Sequence, residues 1–253
     1  MDKLQTEITV PERSAAVEKN ASKAIFNLLR TCPIPEHELL GHLPLFIPRK
    51  VLSRILGLNE IYKLILGVCG DIFDFGTRWG TNMVLFANLR GIYEPFNANR
   101  RIVGFDTFEG LLKCGEKDGG GQFAKDGVLS VTSGWEITLD QLMAWHEALS
   151  PVSHIKRYEI HRGDASATLR QYLEEHQESI IALAYFDFDI YQPTKECLGL
   201  IKERLTKGSI VCFDQLNYPL YPGETIAVRE VLGLRNYAIK RLRDISTSYI
   251  IIE

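Results

Sequence analysis

The chain has 253 residues, 45% of them apolar, and its 32 acidic against 29 basic residues give a formal charge of −3. That is enough apolar material for a full core, and the slightly acidic balance excludes a nucleic-acid binder built on a basic face. No apolar run reaches membrane-spanning length and the opening MDKLQTEITVPERS lacks the apolar core of a secretory leader, so a cytoplasmic enzyme with neither membrane nor nucleic-acid partner is expected.

Residues 14–30 show helical spacing, with Ile25, Leu28 and Leu29 on one side, and Pro33 and Pro35 end that helix. Ile47–Leu66 reads as a second helical region. Residues 1–66 thus form an N-terminal helical segment, a lid or an oligomer contact, ahead of a main domain at 67–253. From there short strands alternate with helices, the pattern of a parallel sheet. Strands are expected at Gly70–Phe75, Arg101–Phe105, Ile155–His161, Ile180–Phe186 and Ser209–Phe213. Helices are expected at Thr81–Arg90, Ser166–His176 and Glu224–Leu232, and Pro193 fits the first turn of another. Two last strands, near Tyr237–Leu242 and Ser248–Glu253, predict an antiparallel edge. The fold class is α/β: a doubly wound, mostly parallel, Rossmann-like sheet with an antiparallel C-terminal edge and N-terminal helices.

Residues 111–153 make a long insert holding Gly119-Gly120-Gly121 and a helix around Leu139–Leu149, and that length favours a lid. Five cysteines are scattered without metal-ligand spacing; three lie in apolar patterns and are expected as buried thiols.

Doubly wound sheets bind ligands at the carboxyl ends of their strands, and here four ends carry an acid: Asp106, Asp164, Asp187 and Asp214. After the first strand, Asp74-Phe75-Gly76-Thr77-Arg78-Trp79-Gly80 forms a turn that is not the G-x-G-x-x-G of a dinucleotide site, which argues against an NAD oxidoreductase. Gly76 lets the backbone turn sharply, Gly80 permits close helix–strand packing, and Asp74 either caps the turn or meets a cationic ligand. Asp106 occupies a ribose-binding position or an Asp-Thr turn; Asp164 takes an adenine amino group or caps the next helix, and Ser166 shares that ambiguity. Asp187 and Asp189 lie on one side if the strand continues, and an adjacent strand would bring Asp214 beside Asp187. Like charges at that distance need a proton or a cation, and oxygen ligands favour Mg²⁺. Against this, Asp189 fits a cap of the Pro193 helix. His146 and His154 read as surface residues, Trp79 and Trp135 as packing, and Glu224 as an acid at a helix start.

Six segments in this order, DFGTRWGTN, IVGFDTFEGL, GDASATL, ALAYFDFDIYQPT, KGSIVCFDQLN and YPGETIAVREVLG, resemble the metal-dependent sugar O-methyltransferases typified by macrocin O-methyltransferase and the deoxysugar 3-O-methyltransferases. The resemblance implies a class I methyltransferase that uses S-adenosylmethionine and Mg²⁺ on a hydroxylated small molecule, a sugar above all. It places Asp74, Phe75, Gly76, Thr77 and Arg78 at the methionine part of the cofactor, Asp106, Thr107 and Phe108 at the ribose, and Asp164 and Ala165 near the adenine. By the same resemblance, Asp187 would also touch the cofactor and accept the substrate proton. Asp187, Asp214 and the next residue would hold the metal; that residue is Gln215, where the family usually has an acid. N-methylation, or a catalytically silent partner subunit, are the alternatives, and a homo-oligomer is possible.

Overall fold

In the computed structural model, which describes residues 15–119 and 124–253, strands β1 (Asp71–Phe75), β2 (Ile102–Asp106), β3 (Tyr158–Arg162), β4 (Ile181–Phe186) and β5 (Leu205–Phe213) run parallel. β6 (Lys240–Arg241) and β7 (Ser248–Ile251) close the edge antiparallel, giving the order β3-β2-β1-β4-β5-β7-β6. The expected sheet is therefore present. Its sixth strand is shorter than expected, with two paired residues against the stretch from Tyr237 to Leu242. Gly120, Gly121 and the opening segment lie outside the described residues.

Strand side chains alternate between two cores. Phe73, Phe105, Phe186 and Phe213 face one, with Leu169 and Tyr172 of α6 (Ala165–Glu175) and Leu198 of α7 (Tyr191–Ile201). Ile72, Leu183, Tyr185 and Cys212 face the other, with Met83 and Phe86 of α4 (Thr81–Tyr93) and Leu139 and Met143 of α5 (Trp135–Ala148). Both faces are covered, as a parallel sheet requires. α5 sits inside the expected 111–153 insert, yet it is the crossover helix between β2 and β3 and part of the core. Among the described residues before it, Asp118 and Leu129 reach the strand ends. There Asp118 accepts from Tyr191 N at 2.6 Å and Leu129 O accepts from Arg78 Nε at 3.1 Å. Gly80 proves to open space for Leu139 of α5, since a Cβ there would meet that side chain.

The N-terminal helices divide sharply. α1 (Ala16–Arg30) and α2 (Glu36–His42) bury no residue, and Leu28 and Leu40 are 63% and 80% exposed. α3 (Arg49–Leu64) is different: Leu58, Ile61 and Tyr62 are fully buried in the second core. Tyr62 donates to Glu94 at 2.6 Å, a carboxylate that also takes Arg100. α3 is thus part of the sheet's covering layer and not a mere preface. Of the cysteines, Cys197 and Cys212 are buried, two rather than the expected three; all five are free. No helix among the described residues is long and apolar enough to cross a membrane.

Candidate active site

The site is built at the carboxyl ends of β1, β2, β4 and β5. Asp74 is fully buried; its Oδ1 accepts from Asn82 Nδ2 at 3.0 Å and its Oδ2 has no partner. Burial pushes its carboxyl up to about 6, opposed by the Asn82 hydrogen bond and by Arg54. Gly76 has φ of 83°, and a Cβ there would collide with the backbone carbonyl of Asp187, so the β1 turn and the β4 end touch only because this residue has no side chain. Thr77 Oγ1 donates to Asp74 O at 3.0 Å and tightens the same turn.

Asp106 is held from both sides. Its Oδ2 accepts from Arg78 N at 2.8 Å and its Oδ1 from Phe108 N, the latter at φ of 59°. Burial raises its carboxyl, and those two amides oppose the shift. Asp164 caps α6, accepting from Ser166 N at 3.1 Å and Oγ at 2.7 Å, and pairs with Lys113 at 2.8 Å. The Lys113 and Ser166 hydrogen bonds draw its carboxyl down to about 2. The capping reading of Asp164 is therefore the observed one; Ala165 follows it, buried, as the first residue of α6.

At β4 and β5 the acids crowd. Asp187 N donates to Phe75 O at 2.8 Å and Asp214 N to Phe186 O at 3.0 Å, so the two carboxyls emerge side by side. Asp214 Oδ1 accepts from Tyr185 at 2.9 Å and Thr247 at 3.2 Å, and Gln215 Nε2 stands 3.3 Å from its Oδ2. Between the pair lies Arg54 of α3, with Nη2 3.0 Å from Asp187 Oδ2 and Nη1 3.4 Å from Asp214 Oδ1. Burial, then Asp214, pushes the Asp187 carboxyl well above the usual range, and Arg54 resists.

Asp189 does not continue the strand. β4 ends at Phe186 and Asp189 turns into left-handed backbone at φ of 63°. Nor does it cap α7, whose first amide is taken by Asp118. It is buried, its Oδ1 has no partner, and burial with Asp214 nearby lifts its carboxyl to about 7. Glu224 is fully buried at the start of α8 (Gly223–Val231), its Oε2 accepting from Gln215 N at 2.8 Å. Burial, then Asp189, raises it well above the usual carboxylate range. Sequence reading missed Arg54 and undervalued Glu224, because neither belongs to a strand-end motif. Trp79 and Trp135 pack edge-on against each other at 4.9 Å, as the packing reading expects, and His154 is exposed.

As arranged, the donor set does not fit a divalent ion. Arg54 takes an oxygen of each facing carboxylate, and among the described residues no three His, Cys, Asp or Glu side chains converge on a metal position. The β1 turn does fit a cationic small ligand, with a buried acid whose second oxygen is unsatisfied beside a side-chain-free cradle.

Among solved structures, the calicheamicin methyltransferase CalS11 superposes with a TM-score of 0.92 at 40% identity, covering 95% of this chain and 94% of its own. The apo form of CalS11, a TDP-rhamnose 3′-O-methyltransferase of calicheamicin biosynthesis, gives 0.84 and 38% over 95% and 96%. The O-methyltransferase NovP, at 15% identity and a TM-score of 0.55 over 79% of each chain, shares the fold. No protein-family model and no curated protein matches the chain.

Proposed function

Because this chain belongs to the deoxysugar O-methyltransferase family, we propose that it moves the methyl group of S-adenosylmethionine onto a hydroxyl of a nucleotide-linked deoxysugar. It is an O-methyltransferase with the class I fold. The observation that carries the cofactor assignment is Asp74, a buried acid with a free oxygen at the β1 turn.

S-adenosylmethionine supplies, when bound, an electrophilic methyl group. Asp74 would hold its amino group, with Phe75, Gly76, Thr77 and Arg78 shaping the turn around the methionine part. Asp106, Thr107 and Phe108 would face the ribose, while Asp164 and Ala165 lie toward the adenine. Asp187, one of the acid pair, also borders this region through its close backbone approach to Gly76.

The sugar hydroxyl would meet Asp187, whose side chain is a quarter exposed. Burial and Asp214 lift the neighbouring Asp189 carboxyl to about 7, and burial raises Asp187 as well, so this corner of the site would favour taking up a proton. Arg54 and Tyr185 keep Asp214 fixed while that proton moves. Positioning and charge placement are then the enzyme's contribution. The Mg²⁺ site that the resemblance implies at Asp187, Asp214 and Gln215 does not fit the present arrangement, in which Arg54 occupies the facing oxygens. The 1–66 segment would act as a lid or oligomer contact, α1 and α2 offering exposed apolar side chains to a second copy. Free cysteines agree with a cytoplasmic setting.

Calorimetric titration with S-adenosylmethionine and its demethylated product tests the cofactor claim, with dissociation constants on the order of 10 µM expected. Mass spectrometry after incubation with TDP-rhamnose tests the acceptor class. No binding of either nucleotide would sink the proposal.

A further inference from the structure

Arg54 brings a positive charge from the N-terminal helices to the meeting point of β4 and β5. One guanidinium spans both strand ends, at 3.0 Å from Asp187 and 3.4 Å from Asp214. It is fixed from two further sides. Its Nε and Nη2 reach Asn82 Oδ1 at 3.3 and 3.0 Å, and its Cζ stands 5.8 Å from the centre of the Tyr185 ring. Asn82 in turn donates to Asp74, so the guanidinium is tied to the cofactor turn as well.

Two carboxylates side by side need a proton or a positive charge between them. A planar guanidinium provides it with N–H donors in fixed geometry, using the same oxygens an ion would need. We propose that Arg54 and a divalent cation are mutually exclusive occupants of the Asp187–Asp214 pair, with Arg54 the resident one. An ion enters only when Arg54 leaves. The side chain is 31% exposed, so solvent offers the way out. Because Arg54 stands on α3, its departure is felt by the helix that joins α1 and α2 to the core.

The inference stands apart from methyl transfer, since its test uses a metal ion alone. Mn²⁺ is titrated calorimetrically, with its paramagnetic resonance signal as a second measure, into the wild-type chain, Arg54→Ala, Arg54→Met and Arg54→Ala/Asp187→Asn. Both single variants should bind Mn²⁺ roughly tenfold tighter than wild type or better. Mn²⁺ should raise their melting temperatures more than that of wild type, and the double variant should lose the gain. Arg54→Met keeps the stem against Tyr185, so a folding failure of the alanine variant leaves the test intact. Equal affinity throughout, weaker binding in the variants, or no Mn²⁺ binding by any of them overturns the proposal.

Discussion

At the ends of β2 and β3 the acids are answered by their surroundings. Asp106 receives two backbone amides, and Asp164 receives a helix amide, a hydroxyl and a lysine. At the ends of β4 and β5 the acids face one another instead. Asp187, Asp189 and Glu224 all sit above the usual carboxylate range, with Arg54 and Arg78 as the opposing charges. The same residue type at the same topological place thus serves two purposes. One half of the edge holds acids fixed by backbone amides, a hydroxyl and a lysine. The other half holds acids whose burial and mutual repulsion favour the protonated form, the feature on which the proposed proton transfer rests.

The largest effect should come from erasing the crowded half. Asp187→Asn removes the most exposed of these acids facing the proposed substrate side and should lower kcat by about 10²–10⁴, the usual range for a lost general base, with cofactor affinity nearly unchanged. Steady-state rates beside a calorimetric titration would measure both. A greater kcat loss in Asp189→Asn would transfer the proton-accepting role to the buried partner. A collapse of cofactor affinity in Asp187→Asn would mean that the two halves are one binding site.

Asp74, on β1 between the two halves, behaves like an acid of the crowded one. Its folded carboxyl is raised to about 6, above the unfolded value of about 3.9. The neutral form is therefore favoured by folding, and the apo protein loses stability from this group as pH rises from about 4 through 6. A ligand amino group reverses the preference, because it binds the ionised carboxylate. Affinity for the demethylated cofactor should fall about tenfold from pH 7 to pH 5, and Asp74→Asn should give a weak, flat profile. A wild-type profile without that slope would remove Asp74 from the binding site.

Much of the sheet was legible because its strands are apolar runs closed by acids, and Asp106, Asp187 and Asp214 each fall where such a run stops. Asp189 was misjudged because alternation was carried past Phe186, whereas the backbone turns left-handed there. Arg54 was invisible for another reason. It lies on a helix legible only as a helical region, and nothing in that helix pattern says that Arg54 points at a site over 130 residues later in the chain. Glu224 hid in a segment where an acid at a helix start is sufficient explanation. Long-range charge pairing is set by topology, which local pattern does not carry.

The smallest effect tests the satisfied half. Asp164 is drawn down to about 2 by Lys113 and Ser166, so its contribution is complete above the unfolded value of about 3.9 and disappears as pH falls toward 2. Asp164→Ala should cost about 1 kcal/mol at pH 7 through the lost cap of α6. Chemical denaturation of the apo protein at pH 7 and again near pH 3 would show the difference shrinking in acid. The exposed Lys113 pair adds little to that figure, because solvent screens it. If Asp164→Ala leaves apo stability untouched but weakens cofactor binding tenfold, the cap is incidental and the residue belongs with the ligand. An equal loss in both would make Asp164 a scaffold acid that also touches the adenine, and the division between the two halves of the edge would then hold only for Asp106.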